Sequence, residues 1–190
     1  MQASNLPPDG SRMNVDLVIL NYNGRGLLGQ CLPSILEAAS ASSHDCRVVV
    51  IDNASTDGSV EFLRDAFSEV HIEKCPNHGL CSYNTVLKRL NCDVAVLLNN
   101  DIRLDHHAVD PLIEPFIQRG PNAGGRCFMT AAQCRSWNSG DYEGQKTAVT
   151  WRWGLVQATS LYKGHEHHTN RAGMTASAGA AIAVDRQAFL

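Results

Sequence analysis

The sequence lacks long apolar stretches and blocks of like charge, and each absence excludes a class of protein. Its longest apolar runs, such as residues 17–20, 48–51 and 94–98, are far shorter than the roughly 20 residues that a membrane-spanning helix needs. Charged residues make up 18% of the chain and the net charge is -3, which is typical neither of a disordered chain nor of a nucleic-acid-binding surface. We therefore expect a globular protein without a transmembrane segment and without a nucleic-acid partner.

The sequence also lacks closely spaced cysteine pairs. Its seven cysteines are an odd number, and no two of them form a Cys-x-x-Cys pair. This pattern argues against a disulfide framework and against a cysteine zinc site, so we expect free thiols. The histidines at 165, 167 and 168 are clustered, but no cysteine or second histidine pair lies near them, which favours a solvated loop over a metal site.

The amino-terminal segment lacks the apolar centre of a secretory signal. We expect residues 1–14 to be a flexible tail and residues 15–190 to form one domain. A cytoplasmic location follows from this expectation, and peripheral association with a membrane is left open. The sequence does not determine the oligomeric state.

Short apolar runs alternate with helical patterns in the first half of the chain. Strands are expected at residues 16–20, 47–51, 70–73 and 93–98, and helices at 26–39, after residue 59, at 80–90 and at 108–119. This βαβ alternation predicts a mostly parallel sheet covered by helices on both faces, a three-layer α/β sandwich. Beyond residue 120 the pattern weakens, with further strands expected near 124–129 and 176–184.

Polar residues follow three of the predicted strands directly. They are Asn21, Tyr22 and Asn23 after the first strand, Asp52 and Asn53 after the second, and Asn99, Asn100 and Asp101 after the fourth. Asn, Asp and Gly also favour turns for conformational reasons, so each group alone has a purely structural explanation. Parallel sheets bind ligands at the carboxyl ends of their strands, and the three groups together predict a binding site there.

Four motifs resemble, in order, those of the inverting glycosyltransferases of family 2, which have the type A fold. They are residues 18–24 (VILNYNG), 49–59 (VVIDNASTDGS), 77–79 (NHG) followed by Asn84, and 97–101 (LLNND). The resemblance covers residues 15–118, which it implies are the nucleotide-sugar-binding half. It continues faintly through residues 177–180 (SAGA) into a partial acceptor half at 119–190.

The resemblance implies that the protein transfers a sugar from a nucleoside-diphosphate donor to a glycan, lipid or protein acceptor, as in polysaccharide biosynthesis. Asp52 would accept a ring N–H of the base, and the other donor-binding positions would be Asn21, Tyr22, Asn23, Asn53, Asn84, Asn99 and Asn100. His78 and Gly79 open a predicted helix, whose N-terminus can hold phosphate. Asp57 is ambiguous, and a helix-capping role is favoured.

A divalent cation, Mg²⁺ or Mn²⁺, is expected because these hard cations bind carboxylate oxygen. The family places an Asp-x-Asp-like motif where this chain has Asn99, Asn100 and Asp101. Only Asp101 retains the acid, so the resemblance implies a metal ligand at Asp101 and modest metal affinity without donor.

The catalytic base is not assigned. Inverting transfer needs a general base for the acceptor hydroxyl, and the family's carboxylate lies beyond the segment that matches residues 177–180, so we expect it to be absent from this chain. Asp141 and Glu143 are the other obvious acids in this half, but exposed loop acids are usually solvated.

Two other functions stay open from the sequence. One is a non-catalytic sugar-nucleotide-binding module or fragment, which the unassigned base allows. The other is a nucleotidyltransferase, which typically begins with a glycine-rich basic phosphate loop that residues 21–26 lack. The sugar, the nucleotide and the acceptor are not determined by the sequence.

Overall fold

The computed structural model describes residues 12–117, 127–141, 146–161, 174–176 and 180–190. Its elements in chain order are β1 (Asn14–Asn21), α1 (Arg25–Ala41), β2 (Asp45–Asp52), α2 (Ser59–Ala66), β3 (His71–Lys74), a 3₁₀ turn (Gly79–Cys81), α3 (Ser82–Leu87), β4 (Val94–Asn99), α4 (Val109–Ile117), β5 (Met129–Ala131), β6 (Lys146–Arg152), β7 (Leu155–Leu161), β8 (Met174–Ala176), β9 (Ala181–Asp185) and α5 (Arg186–Phe189).

The central sheet has six strands in the order β3-β2-β1-β4-β9-β5. The first four are mutually parallel, whereas β9 runs antiparallel to both of its neighbours. The predicted mostly parallel α/β sheet is therefore confirmed. A separate antiparallel sheet has the order β7-β6-β8.

Two apolar clusters cover opposite faces of the central sheet. Since neighbouring side chains of a strand point to opposite faces, Leu17 and Ile19 of β1 join the cluster that includes Leu32 of α1. Val18 instead joins the cluster that includes Val86 of α3. Helices thus pack on both faces, as the predicted three-layer sandwich requires.

Several boundaries differ from the sequence predictions. The folded part begins before residue 15, because Met13 is 1% exposed and β1 begins at Asn14; residues 1–11 lie outside the described part. The helix expected at 80–90 is a 3₁₀ turn followed by the six-residue α3. The clustered histidines at 165, 167 and 168 lie outside the described residues.

Among the described residues, none of the helices combines the length and the apolar character needed to cross a bilayer.

Candidate functional site

The strand order creates a topological switch point between β1 and β4. From β1 the chain proceeds outward to β2 and β3, and then returns to place β4 on the other side of β1. Open α/β sheets bind ligands in the crevice at the carboxyl ends of such strands. In the register of the sheet, Asn21 pairs with Asp52, and Leu20 pairs with Asn99, so the three predicted polar groups lie at one edge.

Asn21 links the three strand ends through its side chain. Asn21 is fully buried. Its Oδ1 accepts a hydrogen bond from Asn100 Nδ2 at 2.9 Å, and its Nδ2 donates to Ser55 Oγ at 3.2 Å. Both ends of the amide are hydrogen-bonded within the protein, so we expect Asn21 to hold the neighbouring strand ends in place beneath a bound ligand.

Gly24 allows this close packing. A Cβ atom at residue 24 would overlap the side-chain amide of Asn100 and the Oδ1 of Asn21. The backbone conformation of Gly24, with φ −114°, is open to any residue. Glycine is therefore required at this position by space and not by backbone torsion.

The loops after β1 and β2 interlock above the strand ends. Asn23, with φ 50°, accepts a hydrogen bond from Thr56 N at 2.7 Å and donates its own N–H to Ser55 Oγ at 3.0 Å. These bonds fix the loop geometry around the crevice, so the described contacts of Asn23 are structural.

Asp57 fastens the starts of two helices. Its carboxylate accepts hydrogen bonds from Arg25 N at 2.9 Å, from Ser59 N at 3.0 Å and from the Ser59 hydroxyl. Partial burial acts to raise the pKa of Asp57, but the bonds from Ser59 and Arg25 outweigh it and lower the pKa below the ordinary 3.8. These contacts support the capping interpretation.

Asn53 joins β2 to the turn that precedes α3. It is 2% exposed; its Nδ2 donates to Asn77 Oδ1 at 3.0 Å, and its Oδ1 accepts from Ser82 Oγ at 2.6 Å. Such a saturated buried amide stabilises the fold. Among its described contacts Asn53 therefore acts as a structural link.

The turn itself offers less to a phosphate than its sequence predicts. His78 N lies 3.4 Å from Asn53 Oδ1, and Gly79 N donates to Asn77 Oδ1 at 3.0 Å. Two of the N–H groups that an anion would need are thus already engaged. The side chains of His78 and Asn84 are exposed and remain available to a ligand.

Asp52 differs from these linked amides in the hydrogen bonding of its two carboxylate oxygens. The residue is 4% exposed. Oδ2 accepts a hydrogen bond from Ser55 N at 3.4 Å, whereas Oδ1 is buried without a hydrogen-bond partner among the described residues. An unsatisfied buried acceptor costs roughly 1–3 kcal/mol or more, and a ligand N–H would remove that cost.

Asp101 is the acid at the end of β4. It is exposed, as are Asn99 and Tyr22, which is 53% exposed. Among the described residues, no group of three or more His, Cys, Asp or Glu side chains could hold a metal ion.

A family model described as Glycosyl transferase family 2 matches residues 16–176. The chain belongs to glycosyl transferase family 2. The matched range includes every predicted donor-binding residue and Asp101. No curated protein matches the chain.

Solved structures include 163 chains that match this family 2 chain. One is the mannosyltransferase PcManGT from Pyrobaculum calidifontis in complex with GDP-Man and Mn²⁺, with 23% sequence identity and a TM-score of 0.44. The match covers 56% of this chain and 33% of the mannosyltransferase, so this chain spans about a third of that protein's length.

A cavity of about 510 Å³ lies at the opposite, amino-terminal edge of the family 2 sheet. Its charged groups pair with one another: Arg47 forms a bidentate ion pair with the buried Asp16, and Arg12 lies 3.3 Å from Asp45. Because these charges are already neutralised and the strand carboxyl ends are elsewhere, we assign no donor contact to this cavity.

Sequence reasoning missed Trp137, which contacts Arg103 just beyond the end of β4. Arg103 follows Asp101 by two residues, and its guanidinium carbon lies 3.9 Å from the centre of the Trp137 ring. The two residues are 34 positions apart in the sequence, and no periodic pattern or local motif indicates that they meet.

Proposed function

We propose that this family 2 chain binds a nucleoside-diphosphate sugar across the carboxyl ends of β2, β1 and β4, as the donor-binding part of an inverting, metal-assisted glycosyltransferase. Residues 15–118 would form the donor half, and residues 119–190 part of the acceptor half. The observation that carries the proposal is the buried Oδ1 of Asp52, which has no hydrogen-bond partner within the described part of the chain, at the edge that also holds Asp101.

The nucleotide base of the sugar donor would lie at the carboxyl end of β2. A carboxylate oxygen accepts hydrogen bonds and cannot donate them, so Asp52 favours a base with a ring N–H on its pairing edge. Uracil, thymine and guanine have such an N–H, whereas the pairing edges of adenine and cytosine have ring acceptors. Tyr22, which is 53% exposed, would contact the nucleotide base.

The diphosphate would lie between β1 and β4. Since β2 and β4 flank β1, and neighbouring strands are roughly 4.8 Å apart, their ends are separated by about 10 Å. A nucleoside diphosphate spans this separation when its base contacts Asp52 and its phosphates approach Asp101. Asn99 and Asn100 would line the same stretch of the edge.

The oxygen ligands available at Asp101 fit a cation that is shared with the substrate. Mg²⁺ is commonly held by one or two carboxylates together with substrate phosphates, and the described residues supply one carboxylate beside amide oxygens. When bound, Mg²⁺ or Mn²⁺ would neutralise the negative charge of the departing diphosphate. Asn100, fixed on Asn21 by its 2.9 Å hydrogen bond, would orient the neighbouring Asp101.

Thermal denaturation with nucleotides tests this proposal. A ligand at 100 times its dissociation constant adds about 2.7 kcal/mol to stability, which for a chain of this size raises the melting temperature by roughly 5–10 °C. We expect UDP, dTDP or GDP with MnCl₂ to produce this shift, and ADP and CDP to produce less.

Two variants and a control locate the effect. Asp101→Asn should remove the Mn²⁺-dependent part of the shift, and Asp52→Asn should remove the preference for bases with a ring N–H. Asp65→Asn, an exposed acid on α2, should change neither. Nucleotide shifts that are identical in all three variants would overturn the assignment, and a shift with nucleoside triphosphates alone would favour a nucleotidyltransferase.

Release of free sugar from UDP-glucose and GDP-mannose then separates an enzyme from a binding module. Mn²⁺-dependent release that Asp101→Asn abolishes indicates an enzyme. Binding without release indicates a module that needs further parts for transfer.

A further inference from the structure

We propose that Trp137 and Arg103 form a platform that binds a sugar ring of the acceptor. This inference rests on the proposed function, because it assigns the ring to the acceptor from its position beside the donor site. The platform is defined as the indole of Trp137 together with the guanidinium of Arg103.

The contact between the two side chains leaves one aromatic surface in solvent. The guanidinium carbon of Arg103 is 3.9 Å from the ring centroid, a stacking distance at which a cation is attracted to the ring face. Trp137 nevertheless remains 50% exposed. One face of the indole is thus supported by Arg103, and half of the residue's surface remains open to a ligand.

Both members of the platform are held by hydrogen bonds of their own segments. Leu104 N, next to Arg103, donates to Ser34 Oγ on α1 at 3.2 Å. On the other side, Ser136 N donates to Asp141 O at 2.8 Å, and Gly140 N donates back to Ser136 O at 2.9 Å. These bonds fix the backbone of the turn that carries Trp137, and the contact with Arg103 restrains the indole, which reduces the entropy cost of binding.

The platform lies beyond Asp101 on the side away from Asp52. β5 runs in the same direction as β4, because each is antiparallel to β9, and Ala131 and Leu97 both pair with Ile182. The chain therefore leaves β5 near the edge at which β4 ends, and it reaches Trp137 six residues later.

The order along this edge matches the order of groups in a transfer reaction. Asp52 follows β2, Asp101 follows β4, and Trp137 follows β5. If the base lies at Asp52 and the diphosphate at Asp101, the next position is where an acceptor must approach the donor sugar. Arg103 follows Asp101 by two residues, so the platform lies close to the acid.

A pyranose ring has the chemistry that this platform fits. Its C–H groups form an apolar face, which packs on the negatively polarised face of an indole. Arg103, which already occupies the other face of the indole, would hold the ring plane in place for this contact. A single exposed tryptophan is ordinary on a protein surface, but one braced by an arginine beside the proposed donor site presents a fixed apolar face to a sugar ring.

The indole N–H resonances of the protein test the proposal by nuclear magnetic resonance. The chain has three tryptophans, and Trp137→Phe identifies the resonance of Trp137 by its loss. The probes are maltopentaose, chitopentaose and mannopentaose, each titrated with UDP or GDP and MnCl₂ present and again without them. We expect at least one probe to shift the Trp137 resonance in a saturable manner.

Variants separate a sugar platform from a structural role. Affinity for that probe should fall about tenfold or more in Trp137→Ala and only about two- to threefold in Trp137→Phe, which keeps an aromatic face. Arg103→Lys should also weaken binding, because it keeps the charge and loses the planar group that supports the indole. Trp153→Ala is the matched control, since Trp153 is 89% exposed at the β6–β7 turn, and its affinity should equal that of the wild type.

The outcomes distinguish this inference from the proposed function. If Trp137→Ala keeps the nucleotide-dependent rise in melting temperature and no longer binds the oligosaccharide, the platform and the proposed function are both supported. Failure of every probe to move the Trp137 resonance, or equal loss in Trp137→Ala and Trp153→Ala, overturns the platform alone. A Trp137 resonance that responds to nucleotide and not to sugar makes it a base contact and refutes the acceptor assignment, whereas an absence of any nucleotide effect in the wild type refutes the proposed function.

Discussion

Replacement of Gly24 by alanine tests the packing on which the candidate site depends. The added methyl group would overlap the Asn100 amide and Asn21 Oδ1, so Asn100 must move and its 2.9 Å hydrogen bond to Asn21 must break. Overpacking costs about 1–3 kcal/mol, and the lost hydrogen bond adds about 1 kcal/mol. Because φ is −114°, backbone strain adds nothing.

The sum is a loss of about 2–4 kcal/mol, which lowers the melting temperature of a chain of this size by roughly 5–15 °C. Displacement of Asn100 also moves Asp101, so the Mn²⁺-dependent shift with nucleotide should fall in the same variant. Both quantities are measured by thermal denaturation, with and without UDP or GDP and MnCl₂, and urea unfolding checks the free energy.

Gly26→Ala is the matched control, because a Cβ at that residue of α1 has nothing within 4 Å. Alanine is favoured over glycine in a helix by about 1 kcal/mol, so this variant should be as stable as the wild type or more stable. Equal melting temperatures for Gly24→Ala and Gly26→Ala would refute the packing argument.

Two further predictions concern the folded chain. Asp57→Asn should lower the free energy of unfolding, measured by urea unfolding, by about 1–2 kcal/mol at pH 7. This difference from the wild type should shrink below pH 4, because a carboxylate with a lowered pKa stabilises the fold above its unfolded pKa and loses that effect as the pH falls through its folded pKa. A difference that is independent of pH would contradict this. Iodoacetamide at pH 8 should alkylate the exposed Cys81 and spare Cys92 until urea is added, since burial raises the pKa of the Cys92 thiol to about 12. Peptide mass spectrometry measures the labelling of each cysteine. Labelling of Cys92 before urea is added would refute this prediction.

The roles of individual amides depended on partners that no local pattern reveals. Asn21 and Asn53 belong to motifs that predicted donor contacts, yet their described side-chain contacts are to residues 34, 79, 24 and 29 positions away. A hydrogen-bond partner at such a separation is set by the register of the strands and by loop geometry. Asp52, in the same kind of position, keeps one buried oxygen unpartnered because no described donor comes within reach.

By itself the sequence determined the βαβ order, the parallel sheet and the three polar strand ends, because each follows from local periodicity and from residues adjacent in the chain. The tertiary structure alone decided that β9 inserts between β4 and β5, that Gly24 lies against Asn100, and that Trp137 stacks on Arg103. These features join segments distant in sequence, and such contacts are fixed only when the whole sheet is assembled and its edges are packed.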